Sequence, residues 1–236
     1  RLENENILLI EFDPQCNITE KFIPAQFLNR TNNIYDLIES ENDPNIELSS
    51  TELKEAIFDF SDNFHFIPSS LKLGRADNWK SDELASLHNL LHNPFFTQNY
   101  SIIIIDVVPT IGNMLIIPLL ASDYVIMPTQ AEEMSIQGLQ SSINILEKMK
   151  KINTELKLFG ILVTMTQSNT NIQADEIKNI KDMSENLVFK TTIPRNISVQ
   201  EAFKRAMFLD QHDMASPASI AYNSLFEEIV ERLNNG

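Results

Sequence analysis

Short apolar runs alternate with longer amphipathic stretches along this 236-residue chain, and that alternation constrains the fold more than any other feature. Strands separated by helices need crossover connections, so they lie parallel, with helices on both faces of the sheet. The expected strands are Ile7 to Phe12, Phe64 to Pro68, Ile102 to Ile105, Tyr124 to Pro128, Leu158 to Met165 and Val188 to Ile193. Helical spacing marks Ile34 to Ser40, Ser50 to Phe60, Ser81 to His92, Ser135 to Lys151, Asn171 to Asn186, Val199 to Ala206 and Pro217 to Leu233. The run Ile102 to Ile105 is apolar at every position, which predicts a central strand covered on both faces. The fold class read this way is α/β: three layers, a mostly parallel sheet, one domain over residues 1–236.

Composition narrows the function. With 33 acidic against 18 basic residues the net charge is −15, so the chain does not coat nucleic acid with its whole surface. Most of the Lys and Arg lie at or beyond Lys148, so any basic patch belongs to the C-terminal half. A lone Cys16 rules out an internal disulfide framework and fits a reducing cytosol. No apolar stretch reaches the roughly 20 residues of a membrane span. The chain begins at Arg1 and its first methionine is Met114, so the numbering is expected to start inside a longer reading frame.

Two strands run into carboxylates: Ile7 to Ile10 into Glu11-Phe12-Asp13-Pro14, and Ile102 to Ile105 into Asp106-Val107-Val108-Pro109. Chemistry in open parallel sheets collects at the carboxyl ends of strands. A strand-end Asp such as Asp106 can hold Mg²⁺ through a water, because Mg²⁺ keeps most of its hydration shell. Asp13 has two readings: it orients a water, or it caps the loop that starts at Pro14. The five glycines, at 74, 112, 138, 160 and 236, form no phosphate-cradling cluster. His88 and His92, spaced i, i+4, read as a surface pair rather than a metal site. The methionines at 114, 127, 134 and 149 read as core fillers, and Trp79 as a lid or a partly buried anchor.

Seven segments, in order, resemble the ParA/Soj family of partition ATPases, the deviant Walker branch of the P-loop fold. Glu11 to Asn17 is similar to the family's D-x-D-P-Q-G-N, Ile34-Tyr35-Asp36 to I-Y-D, and Ile67-Pro68-Ser69-Ser70 to L-P-S-S. Asp106 to Thr110 resembles the D-x-P-P-S Walker B region, and Pro128-Thr129-Gln130 with Gly138-Leu139 resembles P-x-Q…G-L. Gly160 to Met165 is similar to G-(apolar)-T-M, and Ile193-Pro194-Arg195-Asn196 to I-P-R-N.

The resemblance implies an ATP- and Mg²⁺-dependent homodimer that binds DNA non-specifically and hydrolyses ATP when stimulated by a ParB-like partner. It would work in the cytoplasm, on the nucleoid if DNA binding is retained. Carried over, Asp13 is the catalytic, water-positioning residue and Asp106 the Mg²⁺-side residue. Pro194, Arg195 and Asn196 belong to the adenine pocket, and Gln130 to a nearby switch-like segment. The family's phosphate loop, K-G-G-x-G-K-T, would precede Arg1, so the chain is read as an ATPase domain lacking its first strand, P-loop and most of the first helix.

Departures matter as well. Glu11 replaces the first Asp of D-x-D, Val108 the first proline of P-P, and Gln167 the Asp of T-M-Y-D. Cys16 replaces a glycine and would be strained at positive φ. Asp213 to Ala218 lacks both cations of the family's D-P-R-S-R-G, which leaves Arg195, Lys204 and Arg205 for weak, salt-sensitive DNA contact. A non-catalytic regulatory or scaffold relative is the competing reading. A MinD-like membrane cycle is disfavoured by the acidic helix around Phe226 to Leu233, and a nitrogenase-reductase cluster by the single cysteine.

Overall fold

The computed structural model describes residues 5–29, 32–108, 110, 112–167, 171–183 and 187–235, without the side chains of 133–137, 171–174 and 183. Arg1, Pro109, the Met134 side chain and the expected helix end at Asn186 lie outside the described residues. The chain groups into two compact units, 1–122 and 123–236.

The first unit carries β1 (Ile7–Phe12), α1 (Asn17–Phe22), α2 (Ala25–Leu28), α3 (Ile34–Asn42), α4 (Ser50–Glu55), β2 (Phe58–Ser61) and β3 (Phe64–Ile67). A 3-10 helix (Leu71–Asn78), α5 (Ser86–Leu91), α6 (Pro94–Asn99), β4 (Ile102–Val107) and α7 (Asn113–Leu120) follow. The sheet order is β2-β3-β1-β4, with β1 parallel to both β3 and β4. Alternate β1 residues Leu8, Ile10 and Phe12 are fully buried against α3 residues Ile34, Leu37 and Ile38 and against Leu87, Leu90 and Phe96. Local chemistry starts the helices where the pattern expects them. Asn33 with Asp36 caps α3 and Ser49 with Glu52 caps α4, each as a reciprocal capping box.

Three expectations are corrected in this unit. The helix expected through Phe60 ends at Glu55, and Phe58–Ser61 pairs with β3 as an antiparallel hairpin. Strand geometry wins there because it sets Phe58 and Phe60 against one another and against Phe27, Phe64 and Phe66. The helix expected from Ser81 starts only at Ser86, since Glu83 accepts the Lys80 N–H at 2.7 Å and holds the preceding residues as turns. Finally, β4 is an edge strand among the described residues: it pairs with β1 alone, and Ile104 is 48% exposed.

The second unit carries β5 (Tyr124–Gln130), α8 (Glu133–Met149), β6 (Lys157–Thr164), α9 (Asn171–Met183), α10 (Ile197–Lys204), α11 (Leu209–Asp213) and α12 (Pro217–Asn235). β5 and β6 are parallel, with Gln130 opposite Thr164. The strand expected over Val188 to Ile193 is reduced to two isolated parallel bridges, Ile161 with Val188 and Thr166 with Pro194. Side chains of α12 take over its backbone groups. Glu228 accepts the N–H groups of Lys190 (2.9 Å) and Thr191 (3.0 Å), and Arg232 donates to the carbonyl of Val188 (2.9 Å). Groups held this way are unavailable to a sheet ladder. The Arg232 guanidinium also lies 4.1 Å over the Phe189 ring, which itself packs where a Cβ on Gly160 would stand.

Candidate functional site

At the carboxyl end of the first sheet, Glu11 and Asp106 are register partners on β1 and β4. Glu11 is buried, and its carboxylate is fully engaged by α1. It accepts the N–H of Ile18 at 2.7 Å and of Thr19 at 3.0 Å, and the Thr19 hydroxyl at 2.6 Å. Cys16, at the helix N-cap, offers no capping side chain, so Glu11 satisfies the first-turn donors from the neighbouring strand. The extra methylene of Glu11 relative to Asp is what spans that gap. Sequence reasoning missed this role because the partners stand seven and eight residues away, outside every local capping pattern.

Thr19 extends the network: its hydroxyl accepts the Ser69 N–H at 2.9 Å, while the Ser69 hydroxyl donates to the Asp13 carbonyl at 2.7 Å. The ends of β1 and β3 are therefore tied through α1, with Asp13 between them. Asp13 Oδ1 accepts the Gln15 N–H at 2.8 Å, an Asx turn that realises the loop-capping reading and fixes the carboxylate's direction. Cys16 then adopts φ 54° and ψ 36°, the left-handed conformation expected where the resembling segment has glycine. Burial, with the charges of Glu11, Glu20 and Asp13, pushes its thiol up to about 11, so it stays protonated at neutral pH.

Asp106 is exposed at the sheet edge. Even so, the surrounding protein raises its carboxyl above the ordinary range by desolvation first, then by the charges of Glu11 and Asp13. No group of three or more His, Cys, Asp or Glu among the described residues is arranged to hold a metal. Since Glu11 is spent on α1, the donor set fits a hydrated Mg²⁺ touching Asp106 through water, and it does not fit a protein cage.

In the second unit, Gln130 ends β5 and is exposed. At the same end, the Arg195 N–H donates to Thr166 at 2.9 Å, and Met165 is held at φ 56° with 47% exposure. Pro194 and Asn196 are half-buried and Arg195 is exposed. Asn196 also has a structural duty, because its Oδ1 accepts the Ser198 N–H at 2.8 Å and caps α10. Lys204 ends α10 and Arg205 caps it, both exposed, at the opposite end of the helix from Arg195, which precedes the N-cap Asn196; the helix between rises about 10 Å at 1.5 Å per residue. The cations are thus spread along α10 and do not form one cluster. His88 and His92 stack at 4.0 Å, with His92 Nδ1 on the His88 carbonyl at 2.8 Å, as a surface pair does. Trp79 stacks on Tyr35 at 6.2 Å.

Residues 1–158 match the model of a family described as an AAA domain, and the chain belongs to that family. Within it, the chain belongs to the ParA/Soj partition-ATPase branch. It is 28% identical over 228 residues to the sporulation initiation inhibitor protein Soj of Bacillus subtilis, covering 96% of this chain and 87% of that protein. Against the chromosome-partitioning ATPase Soj of Thermus thermophilus the identity is 27% over 230 residues, covering 97% and 85%. Among solved structures, a plasmid partition protein of Borrelia burgdorferi bound to AMPPNP superposes with a TM-score of 0.74 at 23% identity, covering 99% of this chain and 88% of that one. That likeness establishes the fold: α/β with a mostly parallel sheet. No helix among the described residues is long and apolar enough to cross a membrane.

Proposed function

We propose that this chain is the ATP-hydrolysing component of a DNA-partition system, acting as an ATP-dependent homodimer on non-specific DNA under the control of a ParB-like partner. The observation that carries the reading is the carboxylate constellation: Asp106 in register with an engaged Glu11, and Asp13 fixed by the Ser69 and Gln15 contacts beside them. Relatives named as chromosome-partitioning ATPases support the reaction class. Solved neighbours bound to AMPPNP, or to ADP with magnesium, support the cofactors.

Phosphoryl transfer to water asks for positioning and charge neutralisation rather than covalent help from the protein. Mg²⁺, when bound, would neutralise charge on the phosphates. Asp106 would hold it through a water, and Asp13 would accept a hydrogen bond from the attacking water and orient it. Pro194, Arg195 and Asn196 serve the base-side subsite, and Gln130 contributes to nucleotide binding from the switch-like segment. Arg195, Lys204 and Arg205 meet DNA phosphates, and work takes place in the cytoplasm and on the nucleoid.

The residues of this sequence do not fit the phosphates themselves, because none supplies the glycines and lysine of K-G-G-x-G-K-T. The outer edge of β4 has no hydrogen-bonded strand among the described residues and exposes Ile104 and Val107. A single domain completed by a further strand at that edge, carrying the phosphate loop, is part of the proposal. A second reading, a non-catalytic ParA-like scaffold, is favoured by the engagement of Glu11 with α1, which leaves one strand-end carboxylate fewer for the reaction.

Phosphate release, measured on this chain alone and on a version extended by that loop, separates the two. Turnover in the extended protein that Asp13→Ala abolishes while ATP still binds supports the ATPase. Unimpaired turnover in Asp13→Ala overturns the role given to Asp13, and no turnover in the extended protein leaves the scaffold.

A further inference from the structure

The loop that follows Asp106 is clasped by a partner far away in sequence. Asn113, the first residue of α7, turns its side-chain amide to the carbonyls of Ala76 (3.0 Å), Asp77 (3.1 Å) and Trp79 (3.1 Å), at the C-terminal end of the 3-10 helix. In return, Asp77 Oδ1 accepts the Met114 N–H at 3.3 Å, a first-turn donor of α7. The N-cap of α7 is Gly112, which has no side chain with which to cap the helix. Each helix end therefore caps the other: the 3-10 helix offers carbonyls and a carboxylate, and α7 offers an amide and a backbone N–H. Gly112 belongs to the clasp, since a Cβ there would stand 3.1 Å from Asp77 Oδ1.

What the clasp joins gives it meaning. On one side are the few residues between Asp106 and α7. On the other is Trp79, whose ring stacks on the buried Tyr35 of α3. An ordinary helix cap would be local and would leave the loop free to shift as a body. This one anchors the start of α7 to a separate element packed on α3, so displacing Gly112 and Asn113 must either break the amide contacts or drag Trp79.

We propose that Asn113 and Asp77 are positioning residues for Asp106, tethering the start of α7, where the connection from Asp106 ends, and transmitting its state to Trp79. The inference rests on the reading of Asp106 as the Mg²⁺-side carboxylate only for its catalytic consequence. The mechanical link stands on the clasp alone.

The test uses the chain's single tryptophan. Acrylamide quenching of Trp79 and amide exchange across residues 107–114 are compared in the wild type, Asn113→Ala, Asn113→Asp and Asp77→Asn. Asn113→Asp keeps the shape but cannot donate, which guards against a variant that simply misfolds. Loss of the clasp is expected to speed exchange of 107–114 about tenfold, the effect of losing one net hydrogen bond or slightly more, and to raise the quenching constant measurably. Asp106→Asn is expected to alter Trp79 quenching in the wild type and to lose that effect in the Asn113→Ala background. A purely structural cap would lower stability yet leave the Asp106 effect intact.

Unchanged exchange and quenching in Asn113→Asp, or an Asp106 effect that survives Asn113→Ala, overturns the proposal. In the loop-extended protein, Asn113→Ala should lower kcat with little change in KM for ATP, and equal loss through KM counts against positioning. If that wild-type protein hydrolyses no ATP, the ATPase reading fails, while the fluorescence and exchange results still decide the clasp.

Discussion

Replacing Glu11 tests the cap that organises the strand ends. Its carboxylate is buried and accepts hydrogen bonds from the Ile18 and Thr19 N–H groups and the Thr19 hydroxyl. Hydrogen bonds to a charged group contribute about 1.5–3 kcal/mol each, and orphaned buried donors carry their own penalty. The three share one carboxylate and are not additive, so Glu11→Ala is expected to lose about 3–4 kcal/mol. Glu11→Gln keeps the volume but turns an amide toward the helix donors, and should lose about 2 kcal/mol. Glu11→Asp withdraws the carboxylate by one methylene, roughly 1.5 Å, past hydrogen-bond range from 2.7 and 3.0 Å. It should be destabilising by about 1–2 kcal/mol although Asp is the residue of the resembling motif.

Urea unfolding followed by circular dichroism reads these losses. With a slope of roughly 3 kcal/mol per molar for a chain of this length, the Glu11→Ala midpoint falls by about 1 M. Combining Glu11→Ala with Thr19→Val should recover at least about 1 kcal/mol of the summed loss, because both remove the same contact. A Glu11→Ala midpoint within about 0.2 M of the wild type, or strict additivity with Thr19→Val, refutes the cap.

Asp106→Asn should stabilise the metal-free chain at neutral pH, on the order of 0.5 kcal/mol given its exposure. Its folded carboxyl is raised, so the fold is favoured below the unfolded pKa and loses that contribution as pH rises through the folded value. The advantage of Asn over Asp should therefore grow from pH 3 to pH 7, and a flat difference would argue against both the desolvation of Asp106 and its repulsion by Glu11 and Asp13. Gly160→Ala should cost about 2–3 kcal/mol, because its Cβ would collide with the ring of a fully buried Phe189, and Phe189→Leu in the same chain should return part of it in urea unfolding. At position 16 the usual order reverses: Cys16→Gly should exceed Cys16→Ala in thermal stability by about 1 kcal/mol, as φ 54° demands. For DNA, anisotropy against salt should give a log–log slope of about −2.7 per subunit, or about −5.4 for the dimer, if Arg195, Lys204 and Arg205 each meet one phosphate, at about −0.9 per contact. A slope near zero refutes those contacts.

Much of the fold was legible because its signals are local. The apolar runs of β1 and β4 and the long amphipathic α8 and α12 each carry their information within a turn or two of chain. The failures share a cause as well. Phe58–Ser61 reads as a helix continuation until Phe27, Phe64 and Phe66 are brought alongside, and Val188 to Ile193 reads as a strand until Glu228 and Arg232 claim its backbone groups. The candidate site divides the same way. Asp13 and Asp106 are marked by the strands that end in them, whereas Glu11 as a helix cap and the clasp of Asn113 with Asp77 have no sequence signature.

The sequence by itself determined the α/β alternation, the acidic strand ends, the absence of a glycine-rich phosphate loop within these residues and the family resemblance that the matched domain bears out. Each depends on neighbours along the chain or on residue identity alone. The tertiary structure decided which carboxylate is free to act and which is structural. Glu11 and Asp106 differ little as strand-end acids. α1 places its first-turn N–H groups on Glu11, while Asp106 faces solvent beside two like charges. A carboxylate already satisfied by backbone donors has little left to offer a cation, and one left among like charges has every electrostatic reason to accept one.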